Sequence, residues 1–195
     1  MVRRFGVFLT LVAVTLTAYG AKLLEHVPLQ WKPTSQLSTF GTTETAKLPI
    51  QFETFKDARD KPELIGENRE DEGKPPKPVT TSDDVGAFVS THMRELFTKA
   101  GLNTVDSDGA VVVKGEVKQF FVAETNTYEG SVAVHLTLVG HDGKTLWSGT
   151  ASGDAKRFGR SYKAENYYEV LSDSVVNTAS SMLQSAEFQK ALAQH

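Results

Sequence analysis

Three runs decide how this chain folds: Ala110-Val-Val-Val-Lys-Gly-Glu-Val-Lys-Gln-Phe-Phe-Val-Ala-Glu124, Val132-Ala-Val-His-Leu-Thr-Leu-Val-Gly140, and Leu146-Trp-Ser-Gly-Thr-Ala-Ser-Gly-Asp-Ala-Lys-Arg157. Apolar and polar residues alternate along them, the period of a half-buried strand. In the first run Val111, Val113, Val117 and Phe121 share one side, and Lys114, Glu116 and Lys118 share the other. In the second the apolar set is Val132, Val134, Leu136 and Leu138. Asp142-Gly143 then signals a tight hairpin. A two-residue loop there pairs Leu138 with Trp147, Leu136 with Gly149 and Val134 with Ala151. The third strand therefore offers Trp147 followed by Gly149, Ala151, Gly153 and Ala155. Such a row of small residues leaves a trough that a helix must fill.

Phe120 and Val122 break the alternation, because they fall on the side of Lys114 and Lys118. A bulge near Gln119 would return them to the core. Without one, the outer face carries apolar surface able to meet a partner or lipid, with Phe120, Val122 and Tyr128 as its binding candidates.

Two helices are predicted. Ser82 to Ala100 has Ser82 as N-cap and an apolar stripe of Val85, Phe88, Val89, Met93, Leu96 and Phe97, with Gly101 as its stop. Ala164 to His195 carries Tyr168, Leu171, Val175 and Met182 on one stripe. It breaks near Ser185 into a short terminal helix with Phe188 and Leu192. Leu48 to Phe55 reads as a further strand, and Glu67 to Thr81, rich in proline and charge, as a mobile loop. The expected architecture is α+β: a two-layer domain over residues 48–195, with a mainly antiparallel sheet and two helices on one face.

Residues 1–20 read as an export signal. Arg3 and Arg4 precede an apolar run, Phe5 to Ala18, and Ala18-Tyr19-Gly20 supplies small residues for cleavage. As a helix the run rises about 21 Å, short of the roughly 30 Å of a bilayer core. An uncleaved anchor and a buried core helix are the alternatives. Residues 21–47 read as a tether or irregular lead-in, in which Trp31 packs on the domain edge, stays free or meets a partner.

The chain of 195 residues is 39% hydrophobic, carries a formal net charge of -3 and has no cysteine. The charge argues against a nucleic-acid partner. The missing cysteine excludes disulfides and thiolate chemistry. No phosphate-binding glycine loop, zinc-protease helix or nucleophile elbow is found, and no cofactor or metal is implied. The expectation is therefore a protein that is not an enzyme. Asp57 and Arg59, at the exit of a strand, are a weak binding candidate, or else a local ion pair that satisfies turn backbone. A hydrolase would have to bring Asp57, Arg59 and His135 together.

Phe55-Lys-Asp57-Ala-Arg59-Asp-Lys-Pro-Glu-Leu-Ile65-Gly66, the helix end Lys99-Ala-Gly101-Leu, the sheet Val111–Arg157 and Tyr168-Glu-Val-Leu171-Ser-Asp173-Ser-Val-Val176 together resemble the YajG-type family of uncharacterised bacterial lipoproteins, over roughly Leu48 to Leu192. The resemblance implies a periplasmic or outer-membrane location, a small α+β fold and no known reaction. It is also similar to small envelope lipoproteins that act as accessory subunits of lipid-transport and assembly machines. Lipoproteins of this kind end their signal in a Leu-x-x-Cys box, whereas Leu16-Thr17-Ala18 is followed here by Tyr19. Lipidation at that position is impossible. The reading is an exported, non-enzymatic accessory factor whose partner is an envelope protein or lipid. Membrane association would come through the N-terminal segment only. The alternative is a lipid or small-molecule carrier with a cavity between sheet and helices.

Overall fold

The computed structural model describes residues 23–37, 47–69, 73–159 and 161–194. The expected signal, residues 1–20, lies outside them. Among the described residues no helix is long and apolar enough to cross a membrane.

The chain forms β1 (Ile50–Phe52), β2 (Lys56–Asp57), β3 (Leu64–Asn68), β4 (Lys77–Thr80), α1 (Val85–Lys99), β5 (Thr104–Val105), β6 (Val111–Glu124), β7 (Thr127–Gly140), β8 (Thr145–Phe158), α2 (Ala164–Gln184) and α3 (Ala186–Ala193). The three long strands form the antiparallel meander read from the sequence. The register is also as read: Leu138 opposes Trp147, Leu136 opposes Gly149 and Val134 opposes Ala151. The turn that sets it is different. Gly143 N–H donates to Gly140 O and Gly140 N–H to Lys144 O, so the loop has three residues, with Gly143 at φ 79. A bulge at Leu146 then restores the register that a two-residue loop would have given.

β6 is the organising strand. On one side it pairs with β7. On the other it is paired in parallel by β1 at Val111–Val113, by β2 at Glu116–Val117 and by β3 at Val122–Glu124. Residues 50–68 thus run beside β6 as one interrupted strand. The sheet is mixed, not mainly antiparallel, and contains eight strands among the described residues. Each parallel stretch is two or three residues long, too short for a periodicity signal. The expected loop over Glu67 to Thr81 is also corrected. β4 pairs antiparallel with β3 at the sheet margin, where Pro78 costs the sheet little.

The open question about β6 is settled by a bulge at Lys118: Val117 opposes Val134, and Gln119 opposes Ala133. The inward parity shifts from odd to even residues. Phe120 and Val122 become buried and Phe121 turns to the open face. α1 starts later than expected. Asp84, not Ser82, is its N-cap, accepting from Ala87 N–H. Its C-terminus closes as a Schellman motif, with Leu102 N–H on Phe97 O, Gly101 N–H on Thr98 O and Gly101 at φ 95. α2 breaks at Ser185, whose hydroxyl caps α3 through Phe188 N–H.

The trough is filled by α2 itself. A Cβ on Gly153 would lie 2.2 Å from Thr178 N, and one on Gly130 would lie 2.3 Å from Val170 Cγ1. Gly149 is covered instead by the ring of Trp147. Below the helices lies one apolar core that includes Ile50, Met93, Phe97, Leu136, Leu171 and Phe188.

Candidate functional site

Three side-chain assemblies could carry chemistry. The first is built on Arg59. Its Nε and Nη2 donate to both Asp57 carboxylate oxygens at 2.9 and 2.7 Å, and its Nη1 donates to Leu64 O and Phe120 O at 2.8 and 3.2 Å. Pro62 O accepts as well. The side chains are only 7% (Arg59) and 15% (Asp57) exposed. Phe120 O belongs to the piece of β6 between the β2 and β3 pairings, where no strand satisfies it. Arg59 takes the place of a strand there, its guanidinium 5.7 Å from the Phe120 ring. Asp57, Arg59 and Phe120 are therefore brought together, but as a brace.

The second assembly surrounds Glu124, which is fully buried. It accepts from Tyr167 OH at 2.7 Å, Tyr162 N–H at 2.8 Å and Ser161 N–H at 3.2 Å. Burial opposes its charge, but hydrogen bonds from Tyr128, Asn68, Tyr167 and Tyr162 N–H outweigh it, so the carboxyl sits below its ordinary range. Burial and the same carboxylate push the hydroxyls of Tyr128 and Tyr167 upward. Tyr128 stands edge-on to Tyr167, with ring centroids 5.4 Å apart. A Cβ on Gly66 would lie 2.6 Å from the Tyr167 ring, so the glycine after Ile65 makes room for the tyrosine that reaches Glu124. Sequence reasoning missed Glu124. The signal was there: it shares the parity of Phe120 and Val122, a carboxylate where an apolar residue is expected.

The third assembly is the lead-in, which is no loose tether over residues 23–37. Leu24 bridges to Val79, and its N–H donates to Tyr162 OH. Val27 N–H donates to Thr80 O, Leu29 N–H to Asp83 Oδ2 and Lys32 N–H to Ser172 Oγ. Thr34 and Ser35 each donate backbone N–H and hydroxyl to Asp173, at 2.5–2.8 Å. Burial opposes the Asp173 charge, and these bonds outweigh it, so this carboxyl too lies below its ordinary range. Trp31 stacks flat on His92, 4.0 Å between centroids and 8° between planes, with Phe88 edge-on to both rings.

The other sequence candidates disperse. Phe120, Val122 and Tyr128 are 1% exposed or less, so they form no surface patch. His135 opposes Glu116 on the open face, whereas Asp57 aligns with Val117 on the helix side; the sheet separates them. On that open face His135 Nε2 lies 3.1 Å from Ser148 Oγ, and Nδ1 lies 3.2 Å from the hydroxyl of Thr150 rather than from a carboxylate. Among the described residues no cluster of His, Asp and Glu is arranged to hold a metal ion.

No family model matches the chain, and no curated protein matches it. The YajG-type resemblance therefore rests on its quoted residues. Solved structures are similar in fold. Protein XCC0632 from Xanthomonas campestris, of the family DUF330, superposes with a TM-score of 0.60 at 9% identity, over 83% of this chain and 95% of that one. A variant of the PelC dodecamer from Paraburkholderia phytofirmans gives 0.44 at 14% identity, over 77% and 94%. A candidate lipoprotein from Caulobacter crescentus gives 0.42 at 13% identity, over 67% and 92%.

Proposed function

We propose that this chain is a non-enzymatic cell-envelope protein, an accessory binding or assembly factor of the periplasm or the outer-membrane periphery. One observation carries the reading: among the described residues four buried or half-buried charged side chains, Arg59, Asp57, Glu124 and Asp173, are engaged in bracing the fold. Arg59 and Asp57 close a gap in the sheet, Glu124 anchors a loop to two tyrosines, and Asp173 fastens the lead-in. The N-terminal pattern of arginines, apolar run and small residues supports export. The YajG-type resemblance points to the same compartment, with an envelope protein or lipid as partner. The carrier reading is disfavoured by the direct contact of Gly153 with the α2 backbone, which leaves no room there for a ligand between helix and sheet.

The test is fractionation of cells producing the full chain, with mass measurement of its N-terminus and in-cell crosslinking. Recovery in the envelope fraction, crosslinked to an envelope component, is expected. Recovery from the cytosol with Met1 retained and no crosslinked partner overturns the proposal.

A further inference from the structure

The lead-in enters the fold at one end of the sheet. Leu24 bridges in parallel to Val79, so the lead-in runs in the direction of β4, away from the start of that strand. Leu23 is therefore level with the beginning of β4. The pairing of Lys77 with Asn68, Asn68 with Glu124, Glu124 with Tyr128 and Thr127 with Phe158 gathers the matching ends of β3, β4, β6, β7 and β8 into one rim. Tyr162 ties that rim together. Its hydroxyl accepts from Leu24 N–H and donates to Pro78 O, and its N–H donates to Glu124.

Among the described residues two large apolar side chains are exposed, Leu23 at 46% and Phe158 at 84%. Both stand on this rim. A scattered exposed apolar residue needs no explanation, but these two coincide with the place where residues 1–22, with the apolar run Phe5 to Ala18, join the fold. Lys156, Arg157 and Lys163 flank Phe158 and are exposed, the first two paired with Glu129 and Glu169. An apolar tip among long cationic side chains suits a phospholipid surface: the ring enters the acyl boundary while the cations stay at the phosphates. We propose that this rim is a membrane-docking surface, with Phe158 inserted into the phospholipid bilayer beside which the N-terminal apolar run lies. The sheet then stands with this end on the lipid. The turn at His141 points away from it, about 45 Å along β7. The inference rests on the envelope reading for the membrane it needs, and adds to the N-terminal segment a second contact 135 residues beyond Leu23.

The full chain bound to vesicles of phosphatidylethanolamine and phosphatidylglycerol tests it. With no cysteine in the sequence, a single fluorophore can be placed at one chosen position. Asn126→Cys, between β6 and β7 on the rim, and His141→Cys, past the far end of β7, are both at exposed positions and leave Phe158 intact. Lipids carrying a nitroxide on the acyl chain should quench the label at 126 and spare the label at 141. Adding Phe158→Ser to Asn126→Cys should shift the balance between docked and undocked rim about tenfold toward water, the loss of one buried ring. The melting temperature should not change, because Phe158 is exposed in the fold. Failure of the full chain to bind vesicles, equal quenching at 126 and 141, or quenching at 126 that survives Phe158→Ser overturns the proposal. Docking on vesicles by a chain that cells keep in the cytosol would overturn the envelope reading alone. An envelope protein whose label at 126 stays in water would overturn the docking alone.

Discussion

Gly153 on β8 lies against the main chain of Thr178 on α2, so close that a methyl group on the glycine would sit 2.2 Å from the amide nitrogen. Thr178 adds a bond from its hydroxyl to Val132 O on the neighbouring strand at 3.2 Å. The helix is thereby seated on β7 and β8 by backbone approach as well as by side-chain filling. Gly153→Ala must push α2 off the sheet. The expected cost is about 3 kcal/mol, as for an overpacked core site, and the melting temperature should fall by roughly 6–10 °C. Urea unfolding of the full chain measures it. A variant as stable as the parent would show that α2 can slide.

Arg59 should resist conservative replacement. Lysine keeps the charge but cannot reach Asp57, Leu64 O and Phe120 O together, because it lacks the planar fork. Arg59→Lys and Arg59→Ala are both expected to lose about 2–3 kcal/mol, since each leaves a mostly buried carboxylate and a strand carbonyl without their full set of partners. Denaturant midpoints check this. Amide exchange should also quicken at Leu64 and Ile65, next to the brace.

Acid sensitivity should trace to Glu124 and Asp173. Both carboxyls lie below their ordinary values of 4.5 and 3.8. A group whose folded value is depressed stabilises the fold at pH above its unfolded value and loses that contribution as pH falls through the folded value. Stability should therefore be flat from pH 7 to about 5 and decline below about 4. Glu124→Gln should be less stable at pH 7 by about 2 kcal/mol, through loss of charge-assisted bonds, and its acid limb should be shallower. Melting temperatures at half-unit pH steps give both readings. An unchanged acid limb would show that Glu124 is not ionised in the fold.

Release of the lead-in should be visible in fluorescence. Trp31 and Trp147 are the two tryptophans of the chain. In a Trp147→Phe background, Asp173→Ala removes the acceptor of Thr34 and Ser35 and should expose Trp31 to water, shifting its emission to the red. The cost in stability is expected to be about 1–2 kcal/mol, because the lost bonds are charge-assisted and the site is only partly exposed. An unshifted spectrum would mean that stacking on His92 holds the segment without Asp173.

Much of the meander was legible because its evidence is local. Alternation names the inward face, and Asp142-Gly143 places the turn. The small residues of β8 announce a close helix, and Ser185 marks the break between α2 and α3. Phe120 and Val122 were ambiguous because one extra residue, Lys118, exchanges the two faces of a strand, and sequence shows the change of parity but not its cause. Phe55–Gly66 stood out for the right reason in part. Asp57 and Arg59 do act together and Gly66 makes room for Tyr167, yet all three serve the integrity of the fold.

The sequence by itself determined the inward faces of β7 and β8, the apolar stripes of the helices and the absence of thiol chemistry, since each depends on residue type and on spacing within one segment. Only the tertiary structure decided that residues 50–68 run parallel to β6, that Glu124 is buried among tyrosines, and that the lead-in is held by Asp173. Those contacts join residues 43 to 139 positions apart for the carboxylate bonds of Glu124 to Tyr167 and of Asp173 to Thr34. Their free energy depends on desolvation and geometry that exist once the core has formed, so no local pattern encodes them.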